Sequence, residues 1–506
     1  MHDWLDPVLD AEQMRAVDRW AIDEKGVPSL ELMEAAGTAL AEAAAEIAGE
    51  GPIRVVCGKG NNAGDGLVAA RLLTEMGFEA EALLLAAADE LSHDTSANLE
   101  RFPTARTMAG GGLAEALAGS GAVIDAVFGT GFEGEPREPA ATAIRAINGS
   151  GAPVLAADIA SGVNASNGEV AGEAVKAART VTFHAAKIGH WIEPGKGLTG
   201  ELSVADIGIP ADPPARAHAG LLREQAVAGA PPRLSGSTKF SNGRVVVVGG
   251  SRGLTGSVCL ASLAAIRAGA GYATAAVPIE VEAIFEVKLT EVMTVGLPAR
   301  EGHLRPAAEE RLIGACEGAD SVVLGPGLSK NSGAAGLARE VSVRIDSPLL
   351  LDADGLNAHA KALSHLSERE AATILTPHAG ELGRLLGTES EQVNARRLAC
   401  AQGAAKQAGA IVVLKGDDTI VTDGELVAIN RISSPALATA GTGDVLSGMI
   451  AALIARGMEP FAAACAGVVA HSRAGRAAAE RIGAVESVIA GDVIDSIPAG
   501  LAPPAR

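Results

Sequence analysis

The sequence predicts an α/β protein made of two parallel-sheet domains in tandem. Three observations predict it: short continuous apolar runs alternate with helical stretches, the alternation occurs twice, and a proline-rich segment separates the two rounds. Unbroken apolar runs are what strands need when helices cover both faces of their sheet. A chain of 506 residues suits roughly two to four domains of ordinary size.

Asp10 with Gln13 predicts a capping box, and Met14, Val17 and Ala21 follow at helical spacing. An Ala-rich helix is expected after Pro28-Ser29. Strands are then expected at IRVVC (53–57), EALLLA (81–86), AVIDAVF (122–128), PVLAADI (153–159), TVTFHA (180–185) and ELSVADI (201–207). Prolines crowd residues 210–232, which read as a linker with a short helix over 221–227. Strands resume at RVVVVGG (244–250), YATAAV (272–277), SVVLG (321–325), PLLLDAD (348–354), TILTPH (373–378) and AIVVLKG (410–416). A long helical region spans about 442–482. The expected boundaries are therefore 1–212, a linker at 213–232, and 233–506. No short repeat is visible, which excludes a solenoid.

Composition narrows the function. The net charge of −20 leaves no excess of Lys and Arg for a phosphate backbone, and 2% aromatics leave few stacking platforms, so nucleic acid is excluded as a partner. Five scattered cysteines without a CxxC support neither a disulfide framework nor a zinc site. The longest stretch free of Asp, Glu, Lys and Arg is residues 253–266, too short for the roughly 20 residues that span a bilayer. The start, MHDWLDPVLD, has neither a basic nor an apolar leader segment. A cytoplasmic protein without a membrane partner is expected.

Two sets of motifs carry chemistry. GKGNNAGDG (58–66) follows a strand and opens a helix, where glycines let main-chain amides approach an anion. Asp125 in DAVFGTGFEGE and Asp158 in DIASGVN sit at further strand ends, the rim where open α/β sheets bind ligands. Each alone is also an ordinary turn or helix cap. In the second half, GTGD (441–444) places a carboxylate and free amides at the start of a strongly helical run. A base and an anion hole for phosphoryl transfer need that arrangement.

The first set resembles the epimerase domain of the NAD(P)H-hydrate repair enzymes, with Ala63 and Ala160 as small departures. The second, GRVVVVGGSRGLTG, GPGL, LDADGLN, TPHAGE, LKGDDTIV and GTGD in that order, resembles their ADP-dependent dehydratase domain. The resemblance implies a Rossmann-like α/β domain followed by a ribokinase-like α/β domain. It implies that Asn61, Asn62, Ala63, Gly64 and Asp65 line the hydrate site of the first domain. Gly129, Thr130, Gly131, Phe132, Glu133, Gly134 and Glu135 join them, with Asp158 contacting the hydrated nicotinamide. It also implies K+ held by Asn62, Asp125 and Ser161. Asp158 is the acid/base candidate for inverting the hydroxyl-bearing carbon, with Lys187 either its partner or a surface or structural lysine; His184 and His190 have no role assigned.

For the second domain the resemblance implies an adenine-nucleotide site at Lys415, Gly416, Asp417, Asp418, Thr419 and Gly443. It places the hydrate at Ala261, Gly327, His378 and Asp444. Asp444 would deprotonate the substrate hydroxyl, which attacks ADP, with Mg2+ on the phosphates. NADHX and NADPHX are the expected substrates and ADP the co-substrate, in a chain that assembles as a homo-oligomer. The alternative is a ribokinase-like small-molecule kinase with a regulatory N-terminal domain.

Overall fold

A computed structural model describes residues 2–108, 111–211, 213 and 216–503. They form two compact units. One is Pro7–Ala219; the other joins the described residues before Pro7 to those from Gly220 onward.

The N-terminal unit is built on seven strands in the order Arg106–Thr107, Ala80–Leu84, Ile53–Cys57, Ala122–Ala126, Val154–Ala157, Arg179–Phe183 and Glu201–Ala205. Every pairing is parallel. Side chains alternate between two buried faces. Ile53, Val55 and Cys57 enter one core and Val56 the other, so the run is apolar throughout. The strand order reverses between Ile53–Cys57 and Ala122–Ala126, and the carboxyl ends of these two strands lead into GKGNNAGDG and GTGFEGE. A crevice at such a reversal is where this architecture holds ligands. The capping box at Asp10 forms, with Gln13 N donating to Asp10 Oδ1 at 2.7 Å and Asp10 N to Gln13 Oε1 at 3.0 Å.

The second unit carries an eleven-stranded sheet. Seven strands from Met293–Leu297 to Ile411–Leu414 pair in parallel, and Ile420–Thr422 and Val427–Ile429 add an antiparallel hairpin. Beyond the hairpin come Ala219–Leu222 and Leu5–Val8. The strands expected from the sequence all form. The region 442–482 is two helices, Thr442–Ala455 and Pro460–Ile482, broken where Gly457 adopts φ +96° and Pro460 cannot continue a helix.

The expected linker is corrected. Residues 219–229 hold strand Ala219–Leu222 and a 3-10 helix, Glu224–Gly229, rather than one short helix over 221–227. The prolines lie only at its ends, and the proline-free stretch between them buries Leu222, Ala226 and Val227 in the second unit's core. Asp212, Pro214 and Ala215 of that segment lie outside the described residues. No helix among the described residues is long and apolar enough to cross a membrane.

Helices Thr255–Arg267 and Thr442–Ala455 pack backbone to backbone. A Cβ at Gly448 would stand 2.1 Å from the Ala261 carbonyl oxygen. Gly448→Ala must part the two helices, and overpacking of this kind costs about 1–3 kcal/mol. Urea unfolding is expected to show that loss; an unchanged midpoint would contradict the close approach.

Candidate active sites

In the N-terminal unit, the two loops at the strand reversal enclose a cavity of about 700 Å³. Asn61, Asn62, Asp65, Gly129, Thr130, Gly131, Phe132, Glu133 and Asp158 all line it. Ala63, Gly64, Gly134 and Glu135 do not. Ala63 is buried, and Gly64 is packed so tightly that a Cβ would meet Met33 Sδ at 2.5 Å. Gly134 turns its loop at φ +83°, and Glu135 lies against Gly172.

Asp158 is the best-determined group. It holds φ +64°, a region non-glycine residues enter only when their surroundings compel it. Oδ1 accepts from Lys187 Nζ at 2.6 Å and from Thr182 Oγ1 at 2.9 Å; Oδ2 accepts from the Thr130 main-chain N–H at 3.1 Å and from its hydroxyl. Burial opposes ionisation, but the Lys187 ammonium and these hydrogen bonds more than reverse it, holding the carboxyl well below its usual range. Asp158 is thus a permanent carboxylate.

Lys187 is its partner rather than a surface lysine, with its side chain 1% exposed. His190 braces both residues: Nδ1 accepts from the Lys187 main-chain N–H at 3.0 Å, so Nε2 bears the proton that bonds the Asp158 carbonyl at 2.9 Å. Burial, then Lys187, pushes its pKa down to about 4 and keeps the ring neutral. Helical spacing marked neighbouring Met14 and Val17 but did not single out Asp18, which lines the same cavity. Burial raises its pKa to about 6, against the pull of Lys187, and raises Asp65 well above the carboxylate range, helped by Asp158 and Asp18.

Asp125 is fully buried in strand Ala122–Ala126, with no ion pair among the described residues. It accepts from Ser161 N at 2.8 Å, Ser161 Oγ at 2.7 Å and Val127 N at 3.3 Å. Burial still pushes it up to about 6. Asn62 donates to the carbonyls of Phe128 at 2.8 Å and Ala157 at 3.2 Å, while its own buried Oδ1 has no partner. An orphaned amide oxygen, an uncompensated carboxylate and a hydroxyl form an oxygen-only set that fits a hard cation such as potassium.

In the second unit, helix Thr442–Ala455 starts at Gly441, φ +92°, with no side-chain cap on its first amides. Such open amides favour anions. Asp444 sits in this first turn. Burial pushes its pKa up to about 7, seconded by Asp352; a hydrogen bond from Ser257 and the charge of Lys415 pull the other way. Lys415 Nζ lies 3.2 Å from Asp352 Oδ1 and 3.8 Å from Glu381 Oε2, and Ser447 donates to Asp352 Oδ2 at 2.7 Å. Asp352, carried by LDADGLN, went unassigned in the sequence; a strand-end Asp was its only signal.

Lys415, Gly416, Asp417, Thr419 and Gly443 line a cavity of about 330 Å³. Asp418 does not: its carboxylate is buried against Arg397, with oxygen-to-nitrogen distances of 2.8 and 2.9 Å. Asp444, Ala261, Gly327 and His378 also lie off this cavity's wall. Ala261 is fully buried at the helix crossing, and Gly327, at φ +62°, presses on the Leu254 backbone. His378 caps helix Ala379–Leu386, its Nδ1 accepting from Gly380 N at 3.0 Å and Glu381 N at 3.4 Å.

Comparison with known proteins joins the two halves. Residues 245–499 match the family model described as NAD(P)H-hydrate dehydratase, and residues 29–189 match that of the YjeF-related protein N-terminus. The chain is 39% identical to the bifunctional NAD(P)H-hydrate repair enzyme Nnr of Moorella thermoacetica, over 97% of this chain and 96% of that one. It is 38% identical to the protein of the same name from Salinibacter ruber, over 97% and 95%. Among solved structures, an ADP/ATP-dependent NAD(P)H-hydrate dehydratase from Bacillus subtilis, co-crystallised with ATP/Mg2+, is similar at 26% identity. It covers 55% of this chain and 95% of its own, with a TM-score of 0.47. With both family models matched in order and near-complete coverage of relatives above 30% identity, the chain belongs to the family of bifunctional NAD(P)H-hydrate repair enzymes.

Proposed function

We propose that the chain repairs hydrated nicotinamide nucleotides in two steps. Residues 7–219 interconvert the R and S forms of NADHX and NADPHX, and residues 220–506 dehydrate the S form with ADP, giving AMP and phosphate. The observation that carries this reading is Asp444: a carboxyl with a pKa of about 7 in the uncapped first turn of a helix, near Lys415.

Hydroxide leaves a hydrated dihydropyridine poorly and phosphate leaves it well. Asp444 takes the proton of the substrate hydroxyl, whose oxygen attacks the terminal phosphoryl of ADP, and AMP departs. The electron pair of the ring nitrogen then expels phosphate and restores the reduced nicotinamide after loss of a ring proton. Lys415 and the amides of Thr442 and Gly443 stabilise charge on the transferring group. Magnesium supplies neutralisation of the nucleotide phosphates when bound. Nucleotide and water would hold it, since no group of three metal-ligating His, Cys, Asp or Glu side chains occurs among the described residues.

Inversion in the N-terminal site requires the hydroxyl-bearing carbon to open and close again. Asp158, ionised and held by Lys187 and Thr130, orients the hydroxyl by accepting a hydrogen bond from it. Asp18, which burial raises to about 6, is a group able to hold and return that proton, and burial raises the Asp65 carboxyl beside it as well. Potassium would be held by Asn62, Asp125 and Ser161, where it would neutralise the buried Asp125. Equimolar KCl in place of choline chloride should raise the melting temperature of the native chain and leave that of Asp125→Asn unmoved. An ion at 100 times its Kd adds about 2.7 kcal/mol. Calorimetry in the two salts checks this, and equal native values would remove the ion.

The test of the whole reading is recovery of reduced-nicotinamide absorbance from mixed R and S NADPHX with ADP and magnesium. Full recovery with release of inorganic phosphate is expected; a stable phosphorylated product would instead mark a small-molecule kinase. Homo-oligomeric assembly and a cytoplasmic setting belong to the same proposal, checked by light scattering and cell fractionation.

A further inference from the structure

Lys415 to Thr419 form the turn between antiparallel strands Ile411–Leu414 and Ile420–Thr422. Lys415, Gly416, Asp417 and Thr419 of this turn line the 330 Å³ cavity. A turn at a cavity rim is ordinarily among the more mobile parts of a fold. This one is held from behind by Arg397, the first residue of helix Arg397–Ala408. Nε donates to Asp418 Oδ2 at 2.9 Å, Nη2 meets Asp418 Oδ1 at 2.8 Å, and Nη2 also donates to the Lys415 carbonyl at 3.3 Å. The guanidinium lies so close to Gly416 that a Cβ there would stand 2.5 Å from Nη2. The Arg397 and Asp418 side chains are 5% and 2% exposed, and neither residue lines the cavity.

The Lys415 ammonium is anchored separately, by Asp352 and Glu381, and its main-chain N–H donates to the Pro377 carbonyl at 2.8 Å. The guanidinium therefore governs the path of the backbone after Lys415 rather than the ammonium itself. A buried ion pair is a poor stabiliser, because withdrawing two charges from water offsets their attraction, and apolar replacement is often neutral. What a planar fork supplies is one fixed geometry for the groups it bonds, here a carboxylate and a carbonyl of the same turn.

We propose that Arg397 is a positioning residue of the nucleotide site: without touching ADP, it holds the 415–419 turn in the shape that receives it. The inference rests on the reading of this cavity as the nucleotide site. Without the fork the turn samples other shapes, and the apparent Kd rises as the reciprocal of the fraction that remains competent. A turn competent about a tenth of the time binds about tenfold more weakly.

The experiment compares the full native chain with Arg397→Lys, which keeps the charge beside Asp418 but not the fork. Calorimetric titration reads the Kd for ADP with excess magnesium, and absorbance recovery from the S hydrate gives KM for ADP and kcat. Arg397→Lys should melt close to the native chain, raise Kd and KM for ADP together by about tenfold, and keep kcat within about threefold. Hydrogen exchange of the 415–419 amides should quicken in the variant and slow again at saturating ADP. If Arg397→Lys does not fold, Arg397→Met/Asp418→Leu, which leaves neither partner as an unpaired charge, carries the same comparison. A folded variant with native Kd and KM overturns the proposal, because the pair is then structural alone. A fall in kcat with KM unmoved overturns it too. A native chain that binds no ADP overturns it together with the nucleotide reading. A native chain that binds ADP without repairing the hydrate sinks the proposed reaction, and the binding comparison then decides the role of Arg397 by itself.

Discussion

Asp444→Asn is expected to lower the dehydration turnover by about 10²–10⁴, the range lost with a general base, while ADP still binds. The carboxylate is the active form, so native turnover should rise with pH through a limb near 7, the value to which burial and Asp352 bring this group. Stability moves in the opposite direction. A carboxyl whose folded pKa exceeds its unfolded value favours the folded state most below the unfolded pKa. It loses that advantage as pH rises from about 4 to 7. Asn carries no charge to desolvate, so Asp444→Asn should gain in melting temperature relative to the native chain as pH goes from 4 to 8. Stopped-flow turnover across pH, with scanning calorimetry at the two ends, checks both halves. Near-native turnover in the variant would remove Asp444 as the base.

Lys187→Met should destabilise the N-terminal unit by about 3–5 kcal/mol, the cost of leaving a buried charge without its partner. Asp158 is 7% exposed and Lys187 1%, so little water reaches the contact. Since the pair depresses the Asp158 pKa, its contribution is present above the unfolded value near 4 and fades as pH falls further. The gap between native and variant should therefore narrow in acid. The double variant Lys187→Met/Asp158→Asn should recover part of the loss, because no unpaired charge remains. For activity, Asp158→Asn should leave ADP-dependent repair of the S hydrate intact and strand the R hydrate, so absorbance recovery falls to the S fraction. Equal repair of both epimers, after correction for spontaneous epimerisation, would take Asp158 out of the mechanism.

The strands were legible because burial on both faces demands uninterrupted apolar runs, and such runs are local. IRVVC, SVVLG and AIVVLKG each became a strand within a residue or two of the expected ends. The edge additions were not legible. Leu5–Val8 and Ala219–Leu222 are four residues each, the first interrupted by Asp6-Pro7, and only a neighbouring strand makes them strands. The same limit held at the sites. GKGNNAGDG and GTGD pointed to two ligand sites because glycines, amides and a carboxylate in sequence are a local signal. Asp18, Asp352 and Arg397 act through partners far away in the chain, and nothing beside them in sequence marks those partners.

What the sequence by itself determined is the α/β class, the two rounds of strand and helix, and the loops that hold the chemistry. Hydrophobic runs and backbone-permissive glycines are properties of adjacent residues. Only the tertiary structure decided which charges are real at neutral pH. Asp158 and Asp444 are both acidic residues in or beside glycine-bearing loops at the end of a strand or the start of a helix. Lys187 reaches across 29 positions to hold the first ionised. The second, buried beside Asp352, is left poised to take a proton. Burial and the placement of opposite charge set a carboxyl's proton affinity, and both are fixed by packing between segments that are remote in the chain.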